Sequence, residues 1–157
     1  MKEFEIKPKI YFDEGSLEYL REIKSKNAFI LSDSIMEKLG YLKQAVDYLE
    51  SAGVQCDVFT EIKPEPDVMA VMNALEHYME HHGHTVIALG GGSAMDTAKA
   101  MIYFLHQAVS KTGQSFDKPQ FIAIPTTSGT GSEVTDFSVI TINGKKMALI
   151  DGLMAPD

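Results

Sequence analysis

The sequence predicts an α/β protein with a doubly wound, Rossmann-like parallel sheet and an appended β-hairpin. Short apolar, β-branched runs alternate with helical patterns at about thirty residues per unit, which is typical of right-handed βαβ crossovers. The central run, residues 85–89, is apolar on both faces and therefore suits a strand in the middle of the sheet. A length of 157 residues predicts one domain, over residues 1–157.

The first part of the chain is expected to lead into the sheet and then to supply its outer strands. The expected elements, in order, are short strands at residues 4–6 and 10–12, a helical segment at 15–23, a strand at 27–32, a helix at 41–51 and a strand at 54–59. Asp33 and Ser34 can cap the segment after the strand at 27–32, and Gly53 is placed to end the helix at 41–51.

The next helix is predicted to begin at Asp67, after a segment held extended by two prolines, and to end at Gly83. Its apolar face consists of Val68, Val71, Met72, Leu75 and Met79. Four histidines lie near its carboxyl end, namely His77, His81, His82 and His84. Residues four apart share a helix face and could bind a metal, but the helix dipole also favours imidazolium there. Because His82 points to another face, we prefer the dipole interpretation and expect no metal site in this chain.

Residues 90–96 follow the central strand and are the main indication of function. Gly90, Gly91 and Gly92 remove every Cβ from the turn, so that a ligand can touch backbone N–H groups directly. Ser93 and Asp96 have the spacing of a capping box, which would start the next helix at Ser93. The amino end of that helix carries roughly half a positive charge, so a phosphate is the natural occupant. A tight strand-to-helix turn without a ligand is the alternative interpretation.

The remaining elements are predicted to be a helix, a fourth strand and a hairpin. The inward stripe of the helix consists of Ala94, Thr97, Ala98, Met101, Ile102 and Leu105. After a polar connection, a strand is expected at residues 121–124. Strands at 137–142 and 145–150 flank Asn143-Gly144, the dipeptide most typical of a type I′ hairpin.

Three of the predicted strands end in residues that suit a ligand site, because ligands of open parallel sheets bind at the carboxyl ends of the strands. These residues are Asp33, the three glycines, and the hydroxyl-rich run that includes Thr126, Thr127 and Thr130. Asp33 could accept both ribose hydroxyls of an adenosine and would repel a 2′-phosphate, or it could simply cap a helix. The hydroxyl-rich run offers uncharged donors to a phosphate-bearing ligand, or it is a solvated loop.

Composition argues against several other classes of protein. A formal net charge of −8 disfavours nucleic acid as a partner. No stretch has the roughly eighteen continuous apolar residues of a membrane span, and the charges within residues 1–10 do not suit a signal peptide. We therefore expect a cytoplasmic protein without a membrane partner. The single cysteine, Cys56, borders an apolar run and is expected to be a small packed residue.

Two motifs together, GGGSAMDTAKA at residues 90–100 and IPTTSGTGSEVT at residues 124–135, resemble the amino-terminal half of the iron-containing, metal-dependent alcohol dehydrogenase family. The resemblance extends along essentially the whole chain. It implies a dinucleotide-binding domain that is followed, in the family, by an all-helical domain with a divalent metal, Fe²⁺ or Zn²⁺, in the cleft between them. It also implies a homo-oligomer, a dimer, that transfers hydride between NAD(H) and a primary alcohol or its aldehyde.

The resemblance further implies roles for individual residues. The glycine turn with Ser93 matches the segment that holds the pyrophosphate, and Asp96 matches an acid beside it. The three threonines of the hydroxyl-rich run match positions at the adenine and nicotinamide ends. Lys146 matches a hairpin lysine that reaches a ribose, and Phe137 lies at a cofactor-contact position that varies within the family. Asp33 resembles the acid that favours NAD over NADP.

Two departures from the family pattern limit these implications. Glu65 stands where the family often has Asn in an adenosine contact. The family's metal ligands, an Asp and a His four apart plus two later histidines, would all lie beyond Asp157. We therefore expect no catalytic or metal-binding residue in this chain, and no activity from this chain alone. The alternative to half of a dehydrogenase is a stand-alone nucleotide-binding or interaction module without redox activity.

Overall fold

The computed structural model describes residue 1 and residues 5–157, and it confirms the predicted α/β architecture. The strands are β1 (Asn27–Ser32), β2 (Gln55–Phe59), β3 (Thr85–Gly90), β4 (Gln120–Pro125), β5 (Phe137–Ile142) and β6 (Lys145–Ile150). The α-helices are α1 (Ser34–Lys38), α2 (Tyr41–Ser51), α3 (Val68–His81) and α4 (Gly92–Lys111). Short 3₁₀-helices span Ser16–Glu22, Ser132–Val134 and Gly152–Met154.

Strands β1 to β4 form one parallel sheet in the order β2-β1-β3-β4. In its register, Ile87 of β3 lies between Ile30 of β1 and Ile122 of β4. From β1 the chain moves outward to β2, whereas from β3 it moves outward in the opposite direction to β4. The order therefore reverses between β1 and β3. This reversal is the switch point at which open α/β sheets bind their ligands.

Both faces of the sheet are buried because helices pack on each of them, and successive strand residues point alternately to the two faces. Phe29 of β1 and Val86 of β3 belong to a core cluster with residues of α3 and α4. Ile30 and Ile87 belong to a second cluster, with residues of α2 and of the first 3₁₀-helix. All six residues of β3 are buried, which explains why its sequence is apolar on both faces.

The hairpin of β5 and β6 is a separate antiparallel sheet that packs against α4. Asn143 and Gly144 have φ values of 50° and 74°, the positive values that a type I′ turn requires. The amide of Thr141 donates to the carbonyl of Pro66 at 2.9 Å, which joins the hairpin to the segment before α3. Ile140 is buried in the core cluster that contains residues of α4. The predicted hairpin is therefore confirmed, and it is anchored on two sides.

The end of α3 differs from the sequence prediction. His82, rather than Gly83, takes the left-handed conformation after the helix, with φ of 51°. A Cβ on Gly83 would lie 2.9 Å from both the Cβ and the amide nitrogen of Phe29. Glycine is therefore needed here for the close approach of the chain to β1. On the predicted apolar face of α3, Val71 and Leu75 are buried, but Met72 and Met79 are exposed.

The entry segment also differs from its prediction. Residues 10–12 form no strand, and Tyr11 instead stacks on Tyr19 with ring centroids 3.8 Å apart. Residue 4 of the strand expected at 4–6 lies outside the described residues, and residues 5 and 6 are not in a strand. The helical spacing that follows forms a 3₁₀-helix that buries Leu20. Within the described part of the chain, no helix combines the length and the apolar character needed to cross a membrane.

Candidate functional site

The carboxyl ends of β1, β3 and β4 bring together three of the segments singled out in the sequence. Asp33 follows β1, the glycine turn (residues 90–92) ends β3, and the threonine loop (residues 126–131) follows β4. The amide of Thr126 donates to the carbonyl of Gly90 at 3.0 Å. A Cβ on Gly90 would lie 3.3 Å from Oδ2 of Asp33. The carboxylate, the turn and the loop therefore lie side by side at the switch point.

The glycine turn is enclosed so closely that side chains would not fit. A Cβ on Gly90 would lie 2.9 Å from the Cβ of Ala94. A Cβ on Gly91 would lie 3.1 Å from Oγ1 of Thr127, and one on Gly92 would lie 3.1 Å from Cγ2 of Thr130. These separations are shorter than ordinary van der Waals contact. The absence of side chains on the turn therefore allows the threonine loop to lie directly over the start of α4.

The helix after the turn begins earlier than the predicted capping box allows. Gly91 is the N-cap of α4, in an extended conformation with φ of −85° and ψ of −165°, and Gly92 is already helical. Ser93 lies inside the first turn, where its carbonyl accepts a hydrogen bond from the hydroxyl of Thr97 at 2.8 Å. Because an N-cap residue needs non-helical dihedral angles, Ser93 cannot fill that role.

No side chain of the described residues caps the first turn of α4. Asp96 does not bind back to Ser93; its Oδ1 instead accepts from the hydroxyl of Ser132 at 3.3 Å. The first N–H groups of a helix have no intrahelical acceptor and require another partner. The amino end of α4 therefore offers unpaired amides and the positive end of the helix dipole at the switch point, which suits an anion.

The carboxylate of Asp33 has one oxygen engaged and one directed at the turn. Its Oδ1 caps α1, accepting from the amides of Ile35 at 2.8 Å and Met36 at 3.0 Å. Its Oδ2 is the atom that lies next to Gly90. The two roles that the sequence left open, cap and ligand contact, are thus geometrically compatible, but only Oδ2 is available for a ligand.

Lys99 is the principal residue of this region that the sequence reasoning missed. Its side chain is fully buried. Its three N–H groups are shared among four acceptors: Oγ of Ser132 at 3.2 Å, Oγ1 of Thr135 at 3.1 Å, the carbonyl of Phe137 at 3.1 Å and the carbonyl of Ser132. One ammonium group therefore joins α4 to the end of the threonine loop and to the start of the hairpin. The available signal was the largely apolar run at residues 98–105 that contains Lys99, because a lysine buried there must find acceptors.

The electrostatics of this junction are governed by burial. Burial lowers the pKa of Lys99 to about 8, although the negative charges of Asp96, Asp136 and Glu133 oppose the shift. Burial also raises the pKa of Asp96, against the opposing effects of Lys99 and of the Ser132 hydroxyl. Asp96 and Lys99 therefore stabilise each other's charged forms in a region that disfavours charge.

The hairpin places Phe137 and Lys146 at the border of the site. Phe137 is partly exposed, and its ring centroid lies 6.0 Å from Nζ of Lys99. Lys146 donates to Oε1 of Glu65 at 2.6 Å, and this contact lowers the pKa of Glu65. Both side chains are largely exposed. Lys146 is thus at the surface, but its ammonium group is paired with Glu65, the residue that stands where the family often has Asn.

The other candidates from the sequence lie elsewhere. Cys56 is half-buried in β2, and burial raises the pKa of its thiol to about 11, as expected for a packed residue. The four histidines do not form one group. His77 and His81 lie beside Asp57, whereas His82 ends α3 and His84 contacts Asn27.

Comparison with known proteins identifies the family to which this chain belongs. Residues 7–157 match the family model of iron-containing alcohol dehydrogenase. The NADPH-dependent butanol dehydrogenase of Clostridium saccharobutylicum is 36% identical over 152 residues, covering 90% of this chain and 39% of that protein. The alcohol dehydrogenase of Thermococcus barophilus is 32% identical, covering 100% of this chain and 46% of that protein.

Solved structures agree with the sequence match. The iron-containing alcohol dehydrogenase of Thermococcus thioreducens superposes with a TM-score of 0.87 at 31% identity, covering 99% of this chain and 45% of that structure. The sulfoacetaldehyde reductase of Bifidobacterium kashiwanohense, in complex with NAD⁺, has a TM-score of 0.84 at 30% identity. The match covers 99% of this chain and 44% of that structure. This chain spans less than half the length of these relatives. The match over nearly the whole sequence and the shared fold show that the chain belongs to the iron-containing alcohol dehydrogenase family and corresponds to its amino-terminal portion.

Proposed function

We propose that residues 1–157 form the dinucleotide-binding domain of an alcohol dehydrogenase and bind NAD(H) in the crevice between β1 and β3. The observation that carries this proposal is the glycine turn at the switch point, followed by a helix whose first amides no side chain of the described residues caps. A pyrophosphate suits this place because it is anionic and needs close approach to backbone N–H groups.

The neighbouring residues have matching roles in this proposal. Gly90, Gly91 and Gly92, with Ser93, hold the pyrophosphate, and Asp33 accepts a ribose hydroxyl through Oδ2. The exposed hydroxyls of Thr126, Thr127 and Thr130 line the adenine and nicotinamide ends. Asp96 and Lys99 act indirectly, since their contacts are to Ser132 and to the hairpin. Phe137 and Lys146 contact the cofactor from the hairpin, with Lys146 reaching a ribose.

The choice of NAD over NADP rests on Asp33. Among the relatives, one structure is a complex with NAD⁺, while the butanol dehydrogenase is named as NADPH-dependent, so both cofactors occur around this fold. The Asp33 carboxylate favours a ribose diol and repels a 2′-phosphate. We therefore propose NAD as the cofactor of this chain.

The proposed reaction needs more than this chain supplies. When bound, NAD(H) accepts or donates the hydride. The residues described here bind and orient it, and the amino end of α4 stabilises the negative charge of its phosphates. The proposed substrate is a small primary alcohol or its aldehyde, and the Fe²⁺ or Zn²⁺ that polarises its oxygen would be held by residues outside this chain. We further propose that the complete protein acts as a homodimer in the cytoplasm.

The glycine turn can be tested by adding a single methyl group. Gly91→Ala places a Cβ 3.1 Å from Oγ1 of Thr127 and in the path of the phosphate, so NADH affinity should fall at least tenfold. Gly152→Ala is the matched control, because the nearest atom to its Cβ is the flexible Lys7 Nζ at 3.7 Å. Calorimetric titration measures binding, and circular dichroism confirms that each variant is folded. Parent-like binding by Gly91→Ala would place the pyrophosphate elsewhere.

A further inference from the structure

Asp57, His77 and His81 form a cluster on the side of α3 that faces β2, away from the proposed cofactor site. His77 and His81 are four residues apart on the last turns of α3, and Asp57 lies on the edge strand β2. Oδ2 of Asp57 is 3.2 Å from Nε2 of His77 and 3.1 Å from Nδ1 of His81. One ligand atom from each of the three residues lies within 4.8 Å of the others.

The cluster is held in place by its surroundings. The ring of His77 packs against Phe29 and Phe59, with centroids 5.8 Å away in each case. The ring of His81 stacks on that of His77 at 5.0 Å. These contacts fix the two imidazole rings. Nδ1 of His81 also lies 3.0 Å from the carbonyl oxygen of His77, so a metal bound to this nitrogen would replace that hydrogen bond. The rings are therefore positioned before any ligand arrives, which lowers the entropic cost of binding.

The environment of Oδ2 of Asp57 is a second indication that the cluster binds a cation. This oxygen is shielded from solvent, yet it makes no hydrogen bond of normal geometry with the residues that the structure describes. A shielded carboxylate oxygen without a proper donor is costly, and a bound cation would relieve that cost. The two ring nitrogens at 3.1 and 3.2 Å approach it as co-ligands would.

We propose that Asp57, His77 and His81 bind a late first-row divalent metal ion, with Zn²⁺ as the best-fitting member of the class. Tetrahedral zinc has bonds of about 2.0–2.1 Å to nitrogen and oxygen, which corresponds to ligand separations of about 3.3 Å. The two separations between the carboxylate oxygen and the imidazole nitrogens, 3.2 and 3.1 Å, are close to this value, and all three ligand atoms lie within 4.8 Å of one another. Two imidazoles favour zinc over magnesium or calcium, which prefer oxygen ligands. The fourth position is left for water.

The ion would have a structural role, as a cross-link between β2 and α3. The carboxyl end of α3 leads into the amino end of β3, whereas the glycine turn follows the carboxyl end of that strand. A metal here is therefore separated from the cofactor crevice by the length of β3. This proposal departs from the expectation, drawn from the sequence, that the chain contains no metal site.

Direct titration of the metal-free chain with Zn²⁺ at neutral pH tests the proposal. We expect one equivalent to bind, and Co²⁺ to give the visible absorption bands of a tetrahedral site. His81→Gln and Asp57→Asn should each weaken Zn²⁺ binding at least tenfold. His84→Gln is the matched control, since Nδ1 of His84 contacts Asn27 instead of the cluster. This control should bind Zn²⁺ like the parent.

Thermal unfolding provides an independent readout. One equivalent of Zn²⁺ should raise the unfolding midpoint of the parent and of His84→Gln, but not that of the double variant His77→Gln/His81→Gln. Circular dichroism without metal establishes that the double variant is folded. The proposal is overturned if the folded parent binds no Zn²⁺, or if the double variant binds it as tightly as the parent.

Discussion

At the residue scale, Asp33 shows how one carboxylate can serve both the fold and a ligand. Oδ1 satisfies two amides at the start of α1, a local role that its position after a strand already suggests. Oδ2 lies at the switch point only because β1 and β3 are neighbours in the sheet. The proposed preference for NAD depends on this second oxygen.

We expect the chain to bind NAD at least about fivefold more tightly than NADP. A 2′-phosphate beside Oδ2 costs on the order of 1 to 3 kcal/mol for a partly solvated pair, and about 1.4 kcal/mol corresponds to tenfold. Asp33→Ser keeps a capping side chain but removes the charge. It should therefore reduce the ratio of the affinities for NAD and NADP. Asp67→Ser, at the N-cap of α3, is the control and should leave the ratio of the two affinities unchanged. Equal affinities in the parent, measured by calorimetry, would contradict the assignment.

Lys99 is a buried ammonium group whose neighbouring carboxylates and hydrogen-bond acceptors only partly offset the cost of its burial. Its ordinary pKa of 10.5 is lowered to about 8 in the folded chain, chiefly by burial. Between these two values the unfolded state binds more protons than the folded state. The free energy of unfolding therefore rises with pH in that window and is insensitive to this group below it.

This linkage predicts a specific pH dependence of stability. From pH 8 to pH 10, the free energy of unfolding of the parent should rise relative to that of Lys99→Met, by up to about 3 kcal/mol. Urea unfolding at a series of pH values measures the difference. Lys111→Met, at the exposed end of α4, is the control and should follow the parent. Curves for the parent and Lys99→Met that remain parallel from pH 7 to pH 10 would show that Lys99 does not titrate in this window.

At the element scale, the hairpin and the segment before α3 are coupled across the border of the site. The amide of Thr141 donates to the carbonyl of Pro66, and the side chain of Lys146 binds Glu65. The first contact positions the hairpin. The second contact engages the lysine that we propose to reach a ribose, so Glu65 and the cofactor compete for it.

Releasing Lys146 should therefore improve binding. Glu65→Gln removes the charge that holds Lys146, and NADH affinity is expected to rise two- to fivefold. Lys146→Ala should weaken binding and should abolish the gain when combined with Glu65→Gln. Glu76→Gln, on the exposed side of α3, is the charge-matched control. Weaker NADH binding by Glu65→Gln than by the control would mean that Glu65 itself contacts the cofactor.

At the scale of the whole molecule, the chain spans less than half the length of its relatives. The crevice at the switch point has residues suited to a dinucleotide, and none of the proposed site residues is suited to polarise an alcohol. Metal-assisted hydride transfer needs the alcohol oxygen on a Lewis acid close to the nicotinamide. The Asp57, His77 and His81 cluster lies toward the amino end of β3, whereas the crevice is at its carboxyl end, so the cluster is too far from the nicotinamide for this task.

We therefore expect the chain alone to oxidise no primary alcohol from ethanol to butanol, with either Fe²⁺ or Zn²⁺ added. NADH formation, followed by its absorbance, is the measurement, and binding of NADH by the same sample shows that the domain is competent. Turnover that disappears in Gly91→Ala would show that catalysis needs only this chain. A folded chain that binds no dinucleotide would instead support the stand-alone interaction module.

Much of the fold was predictable because its signals are local. The apolar run of β3 and the Asn143-Gly144 turn each specify their element within a few residues. The start of α4 was misplaced because Ser93 and Asp96 have the spacing of a capping box, whereas Asp96 is drawn to Ser132, 36 residues away. Lys99 was missed for the same reason, since its acceptors lie 33 to 38 residues further along the chain.

The sequence by itself determined the α/β class, the elements of the sheet, the glycine turn and the family to which the chain belongs. Only the tertiary structure decided that Asp33 faces Gly90, that Thr127 and Thr130 close over the turn, that Lys146 pairs with Glu65, and that Asp57 meets His77 and His81. The physical reason is the distance along the chain over which each kind of interaction acts. Secondary structure follows from side-chain periodicity and turn chemistry over a few residues, whereas these contacts depend on strand order and helix packing, which bring together residues far apart in the chain.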